Sequence, residues 1–191
     1  MDSKEILSFW FEKGYVMNSK KWFIESYKYD IEIKEKFEKV LSLYENEKGD
    51  EYLKTKETFI AFIILLDQMP RQIYRNNKKA FAFDEKVMKF TDKGFENYID
   101  KLKDVEILFA FMPYIHTENN IYKTKGQELI NKIEKQLGRD NKVFINIKKN
   151  YENHKKVFDK FGRFPKRNIV LNRLSSIEEK NYLNERKNNY Y

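Results

Sequence analysis

Apolar positions recur at three- and four-residue intervals along most of this chain, the spacing of one face of an α-helix. After Asp30, a residue suited to capping a helix, come Ile33, Phe37, Val40, Leu41 and Tyr44. A second stripe, Phe59, Phe62, Ile63 and Leu66, runs towards Pro70, which is expected to end or kink its helix. A third helix is expected from about Lys78 to Lys93, with Gly94 as its stop. The apolar segment VEILFAFM ends at Pro113, and a polar helix follows from about Thr117 to Leu137, stopped by Gly138. The clearest stripe is Val143, Ile147, Tyr151, His154, Phe158 and Phe161, closed by Gly162, and the brief alternation in VFINIKK lies inside it. Beyond the loop RFPKRN, Ser175 and Glu178 predict a capping box for a last helix. Strand patterns with turn dipeptides are scarce, no solenoid-length repeat is visible, and no Pro-, Gly- or Ser-rich linker divides the chain. The pattern predicts an all-α chain, one helical bundle of about eight helices over residues 1–187, with 188–191 as a frayed tail.

Composition narrows this only slightly. A chain of 191 residues with 16 Phe, 13 Tyr and 2 Trp can bury a continuous core. There are no cysteines, which removes disulfides, thiolate metal sites and a cysteine nucleophile together. The longest apolar run, Phe59 to Leu66, is far below the roughly 18 residues of a membrane span. The start, MDSKEILSFWF, is not the pattern of a signal peptide, so a soluble, cytoplasmic protein without membrane attachment is expected. The net charge of +8 is spread over scattered lysines, which predicts weak, salt-sensitive attraction to nucleic acid and no specific recognition.

The second stripe raises the functional question. FIAFIILL is followed directly by DQMPRQIYR, so an acid, an amide and two arginines stand at the end of a wholly apolar run. Residues of this kind at the mouth of a core either hold elements together or hold a ligand. Three such polar clusters stand out. One is Asp67, Gln68, Arg71 and Arg75, with AFAFD ending at Asp84. Arg71 and Arg75 are four apart and share a face if the chain is helical there. The second is PYIHTEN, with His116 and Glu118. The third is FGRFPKRN, with Arg163, Arg167 and Asn168, preceded by His154. Glycine-rich phosphate loops, a GxSxG elbow and HExxH are all absent.

The same blocks carry a resemblance. LDQMPRQIYRNNKKAFAFD resembles the block LDQFPRN-[IM]-[YF]-R…AFA-x-D of the bacterial DUF924 family. FGRFPKRNIVLNRLSSIEE is similar to that family's FGRFPHRN…LGR.ST.EE block, PYIHTEN to its LP-x-EHSE block, and FWF near the start fits its opening. The likeness runs in order through nearly the whole chain. It implies an all-helical, TPR-like fold and no settled activity. Lys166 stands where the family usually has His, and the Glu that often precedes His116 is missing. Asn119 follows Glu118 where a further acid is common, and Asn172 replaces a Gly.

Two readings of the clusters stay open at this point. Asp67, Asp84, Glu118 and Glu178 can neutralise Arg71, Arg75, Arg163 and Arg167 between helices, because the arginine fork suits a carboxylate at two points. Alternatively, some arginines exceed their internal partners and face a cleft, where Gln68 and Asn168 add directional hydrogen bonds for a small anionic ligand or an acidic peptide end. His154 lies on an apolar face and reads as a hydrogen-bonded core histidine, whereas His116 is the candidate for proton transfer, with Asp67 or Glu118. That combination describes a hydrolase or transferase on a phosphorylated or carboxylated metabolite. A site of two histidines and one carboxylate would suit a metal, but no spacing here is diagnostic; neither a metal nor a cofactor is expected. Whichever reading holds, Arg71, His116 and Arg163 are expected to converge.

Overall fold

The computed structural model describes residues 3–11, 20–44 and 50–185. The expected frayed tail, 188–191, lies outside them. Among the described residues the chain forms α1 (Ser3–Phe11), α2 (Asp30–Leu43), a long rod α3, α4 (Asp84–Tyr98), α5 (Asp104–His116), α6 (Asn120–Leu137), α7 (Lys142–Phe161) and α8 (Ile177–Glu185), and no strand. Rod α3 is continuous but not uniform: α-helix over Lys56–Ile63, one π turn over Ile64–Gln68, and α-helix again over Met69–Ile73. None of these helices is long and apolar enough to cross a membrane.

Two helices form the centre. Phe59 to Leu66 of α3 are wholly buried, and so is α5 from Val105 to Ile115. A helix apolar on every side needs neighbours on every side, and α5 has them in α3, α4, α6 and α7, while α1 and α2 cover α3. The remaining helices, α8 apart, show only a buried stripe. In α7 that stripe is Ile147, Tyr151 and Phe158, joined by Phe144, with Val143, His154 and Phe161 half-buried at its edges. The expected single helix over this segment is present, and Gly162 ends it at a φ of 67°.

Several expected boundaries fall elsewhere, each for a local reason. Pro70 does not end its helix. The i→i+5 hydrogen bond from Met69 N–H to the Ile64 carbonyl comes just before the proline, which has no N–H to give, so the chain passes it in a widened turn. Pro113 lies inside α5, which runs on to His116. The carbonyls of Tyr114 and Ile115 behind it accept from the buried ammonium of Lys123 at 2.9 and 2.7 Å. Gly94 is not a stop but an interior residue of α4; a Cβ there would lie 2.0 Å from the Phe59 ring. Asp30 begins α2 instead of capping it, and its carboxylate is taken by Arg75. The last capping box sits one residue further on, between Ser176 and Glu179. Ser175 is occupied elsewhere, accepting from Asn168.

Candidate functional site

The π turn and the last turn of α5 meet at one end of the bundle, and the buried carboxylate of Asp67 lies between them. Gln68 Nε2 donates to it at 2.5 Å, His116 Nδ1 approaches both oxygens at 2.9 Å, and Arg71 Nη1 stands 3.4 Å away. Arg71 also covers the Asp67 carbonyl with Nη1 and reaches Asp84 with Nη2 at 2.9 Å. Asp84, at the start of α4, uses its second oxygen for Arg167 Nη1 at 2.9 Å. Arg167 closes the ring through Nη2, which donates to the His116 carbonyl at 2.8 Å. Six residues, Asp67, Gln68, Arg71, Asp84, His116 and Arg167, therefore form one connected network, held by α3, α4, α5 and the 164–167 loop.

Electrostatics follow from crowding cations where water is scarce. Burial pushes the Asp67 carboxyl up, but the charge of Arg71 and the His116 and Gln68 N–H groups outweigh it and hold Asp67 at about 2. Burial and then Arg71 push His116 below the usual histidine range, so its ring serves Asp67 as a neutral N–H donor at pH 7. Burial also lowers His154, to about 4, and its ring stands 6.5 Å from that of His116. Lys123 is lowered to about 7, first by burial and next by Arg167. Its ammonium lies over the rings of Phe164, Tyr151 and Phe158 at 5.0 to 5.8 Å.

The expected convergence is half right. Arg71 and His116 meet, but the third member is Arg167, not Arg163. Arg163 turns away to Glu179 at 2.7 and 2.8 Å and to the Leu174 carbonyl. Asn168 goes with it, donating to Glu179 at 3.2 Å. The partner of this loop is thus Glu179, where Glu178 was expected. Arg75 also departs: it pairs with Asp30 at 2.5 and 2.8 Å, outside the network. Glu118 stands beside the network, binding Arg173 at 2.6 and 3.0 Å and the Phe164 N–H at 2.6 Å. His154 Nδ1 lies 2.9 Å from the Asn150 carbonyl, the contact expected of a core histidine. Among the described residues, no group of three or more histidines and carboxylates is placed to hold a metal ion, so the two histidines and Asp67 do not form that site.

Three contributors escaped the sequence reading. Arg173 and Glu179 lie inside the matched C-terminal block but carry no spacing that distinguishes them from their neighbours. Lys123 was legible: Lys123, Gly126, Ile130 and Ile133 share the buried stripe of α6, so a lysine occupies a core position.

Two cavities open at this end of the bundle, and Arg167 lines both. One, of about 170 Å³, lies between α7, the 164–167 loop and α8, and is walled by His154, Val157, Phe164, Pro165, Lys166 and Tyr182 besides Arg167. The other, of about 470 Å³, is a groove beside Asp84, Glu85, Lys89 and Glu118.

Residues 6–187 match the family described as bacterial protein of unknown function (DUF924). The chain belongs to this family. It is also similar to a solved structure, a protein of unknown function, ATU0120, from Agrobacterium tumefaciens. The two are 26% identical, the alignment covers 96% of this chain and 97% of that one, and the TM-score is 0.79. No curated protein matches the chain. The DUF924 blocks seen in the sequence contain Asp67, Gln68, Arg71, Asp84, His116 and Arg167, the members of the network.

Proposed function

We propose that this DUF924 chain is a helical binding module that takes a small anionic ligand at Arg167. One observation carries the reading. A guanidinium has five N–H groups, and Arg167 uses one for Asp84 and one for the His116 carbonyl. The other three have no hydrogen-bond partner among the described residues, although the side chain is only 13% exposed. Its plane is fixed between the rings of Phe81 and Phe164, 4.5 and 4.9 Å from their centroids. Arg71, by contrast, makes its ties inside the network, to Asp67 and Asp84, and is not among the described residues lining either cavity. Arg71 is the bolt of the network and Arg167 is its presented donor, pre-organised and poorly hydrated, as an anion-binding arginine should be.

The test is calorimetric titration of the protein with inorganic phosphate and with small carboxylates at low ionic strength. Saturable binding is expected, and Arg167→Lys, which keeps the charge but loses the planar fork, should weaken it at least tenfold. Heats that track ionic strength alone, equal in the two proteins, would refute the reading.

A second reading is favoured by the contact between Asp67 and His116. A carboxylate on Nδ1 fixes the ring in the tautomer whose Nε2 accepts a proton, the arrangement of a general base. The ring is 18% exposed, and His116 would then serve a hydrolase or transferase acting on an anionic ester. Under this reading His116→Gln abolishes turnover of such esters while anion affinity persists. Unchanged turnover in that variant would exclude the role.

A further inference from the structure

The two cavities that share Arg167 are chemically opposite, and the difference selects a class of ligand. The groove of about 470 Å³ is lined by Asp84, Glu85 and Glu118. Asp84 and Glu118 already offset arginines, Glu85 adds a further negative charge, and Lys89 is the other lining cation among the described residues, so this side offers an anion little net attraction. Among the described residues, the smaller cavity has no carboxylate in its lining. Lys166 and Arg167 are its cationic lining residues, and Val157, Phe164, Pro165 and Tyr182 its apolar and aromatic ones, with His154 and Asn153 from α7.

Size adds a second constraint. An apolar cavity of about 150 Å³ is known to hold one benzene ring, and this one measures about 170 Å³. A fully hydrated inorganic anion has no use for two aliphatic and two aromatic walls. Filling such walls with carbon removes apolar surface from water, at about 25 cal/mol per Å². The rigidity of the walls supports a preformed site. Phe164 packs on His154 at 5.6 Å and on Phe158 at 6.5 Å, and its backbone N–H is tied to Glu118. Pro165 and Arg167 lie within one 3₁₀ turn.

We infer that the cavity between α7 and the 164–167 loop takes a small carboxylic acid with an apolar body about one ring in size, its carboxylate on Arg167 and its body against Val157, Phe164, Pro165 and Tyr182. This rests on the anion-binding reading above and narrows it to one cavity and one ligand class. The ring or short branched chain enters first against Val157 and Pro165. The carboxylate then meets the unused N–H groups of Arg167, with the charge of Lys166 beside it. Neither step changes a covalent bond.

Three probes separate the claim from the reading beneath it: benzoate, its neutral counterpart benzamide, and inorganic phosphate, each titrated into the full chain by calorimetry at constant ionic strength. Benzoate is expected to bind at least tenfold more tightly than either of the others. Val157→Phe, which fills the cavity from a half-exposed position on α7 without touching the Arg71–Asp84–Arg167 ties, should remove benzoate binding while leaving the melting temperature within a few degrees. Phosphate binding equal to or tighter than benzoate would overturn this inference and leave the anion-binding reading standing. Benzamide as tight as benzoate would overturn it too, because the charge would then do nothing. Benzoate affinity unchanged in Val157→Phe would place the ligand elsewhere. Binding of neither anion would overturn both statements.

Discussion

Replacing Arg71 by Ala tests the architecture of the polar end most sharply. Asp67 is wholly buried, and Arg71 is the full positive charge beside it. The substitution leaves that carboxylate with the neutral His116 ring and the Gln68 amide, and leaves Asp84 with Arg167 alone. Removing one partner of a buried ion pair costs about 3–5 kcal/mol, because the remaining charge stays desolvated. For a chain of this length each kcal/mol lowers the melting temperature by about 2–4 °C, so a drop of about 6–20 °C is expected. The pH dependence carries an independent signature. Asp67 titrates at about 2 when folded, against an ordinary 3.8. A carboxyl depressed in the folded state stabilises the protein above its unfolded pKa, and that stability is lost as the pH falls through the folded one. The wild type should therefore lose roughly 2 kcal/mol between about pH 4 and pH 2 from this group. In Arg71→Ala the carboxyl rises towards or above its unfolded value, and this part of the acid loss should shrink or vanish. Urea unfolding of both proteins across that range is the assay. A variant within about 1 kcal/mol of the wild type, with the same acid profile, would refute the idea that Arg71 is the bolt.

Three further outcomes are expected. Arg75→Ala, which removes a pair whose arginine is 40% exposed, should cost no more than about 1 kcal/mol in the same urea experiment, in contrast to Arg71. Gly94→Ala should destabilise by roughly 1–3 kcal/mol in thermal melts, because a Cβ 2.0 Å from the Phe59 ring forces core movement that outweighs the usual helix-propensity gain. Lys123 has a folded pKa of about 7 against 10.5, so its burial is fully tolerated only above the unfolded value and becomes costly as the pH falls towards 7. Comparing wild type with Lys123→Met, the wild type should gain stability between about pH 7 and pH 9.5 while the variant stays flat, as read from urea midpoints.

Much of this organisation was legible in the sequence, and the failures share a cause. Helices with a three-four stripe, such as α7, declare themselves because one face alone is buried. The wholly apolar α3 and α5 declare burial but not their ends, since tertiary packing on all sides lets them run past Pro70 and Pro113. Gly94 reads as a stop only until Phe59 is placed against it. The three polar blocks are expected together because each adjoins a proline near a helix end, and all three meet, the third through Arg167 instead of Arg163. Choosing Arg167 over Arg163 was beyond the sequence. Four residues separate them, and the 3₁₀ turn of Pro165–Arg167 sends one to Asp84 and the other to Glu179. The displacement of the capping box from Ser175 to Ser176 has the same character, since either serine has a glutamate three residues on, and only the hydrogen bond from Asn168 to Ser175 decides between them.

Arg167 lines both cavities of this end and keeps three N–H groups with no hydrogen-bond partner among the described residues, and these are the donors it offers a ligand. Arginine-labelled protein followed by nitrogen–proton resonance, with the side-chain Nε–H of each arginine assigned by substitution, reads this directly. On titration with benzoate the Arg167 signal should move along a saturable curve while those of Arg71, Arg75 and Arg163, none of them among the described residues lining the smaller cavity, stay in place. An Arg167 signal that does not move, or a common drift of all four with ionic strength, would contradict the account.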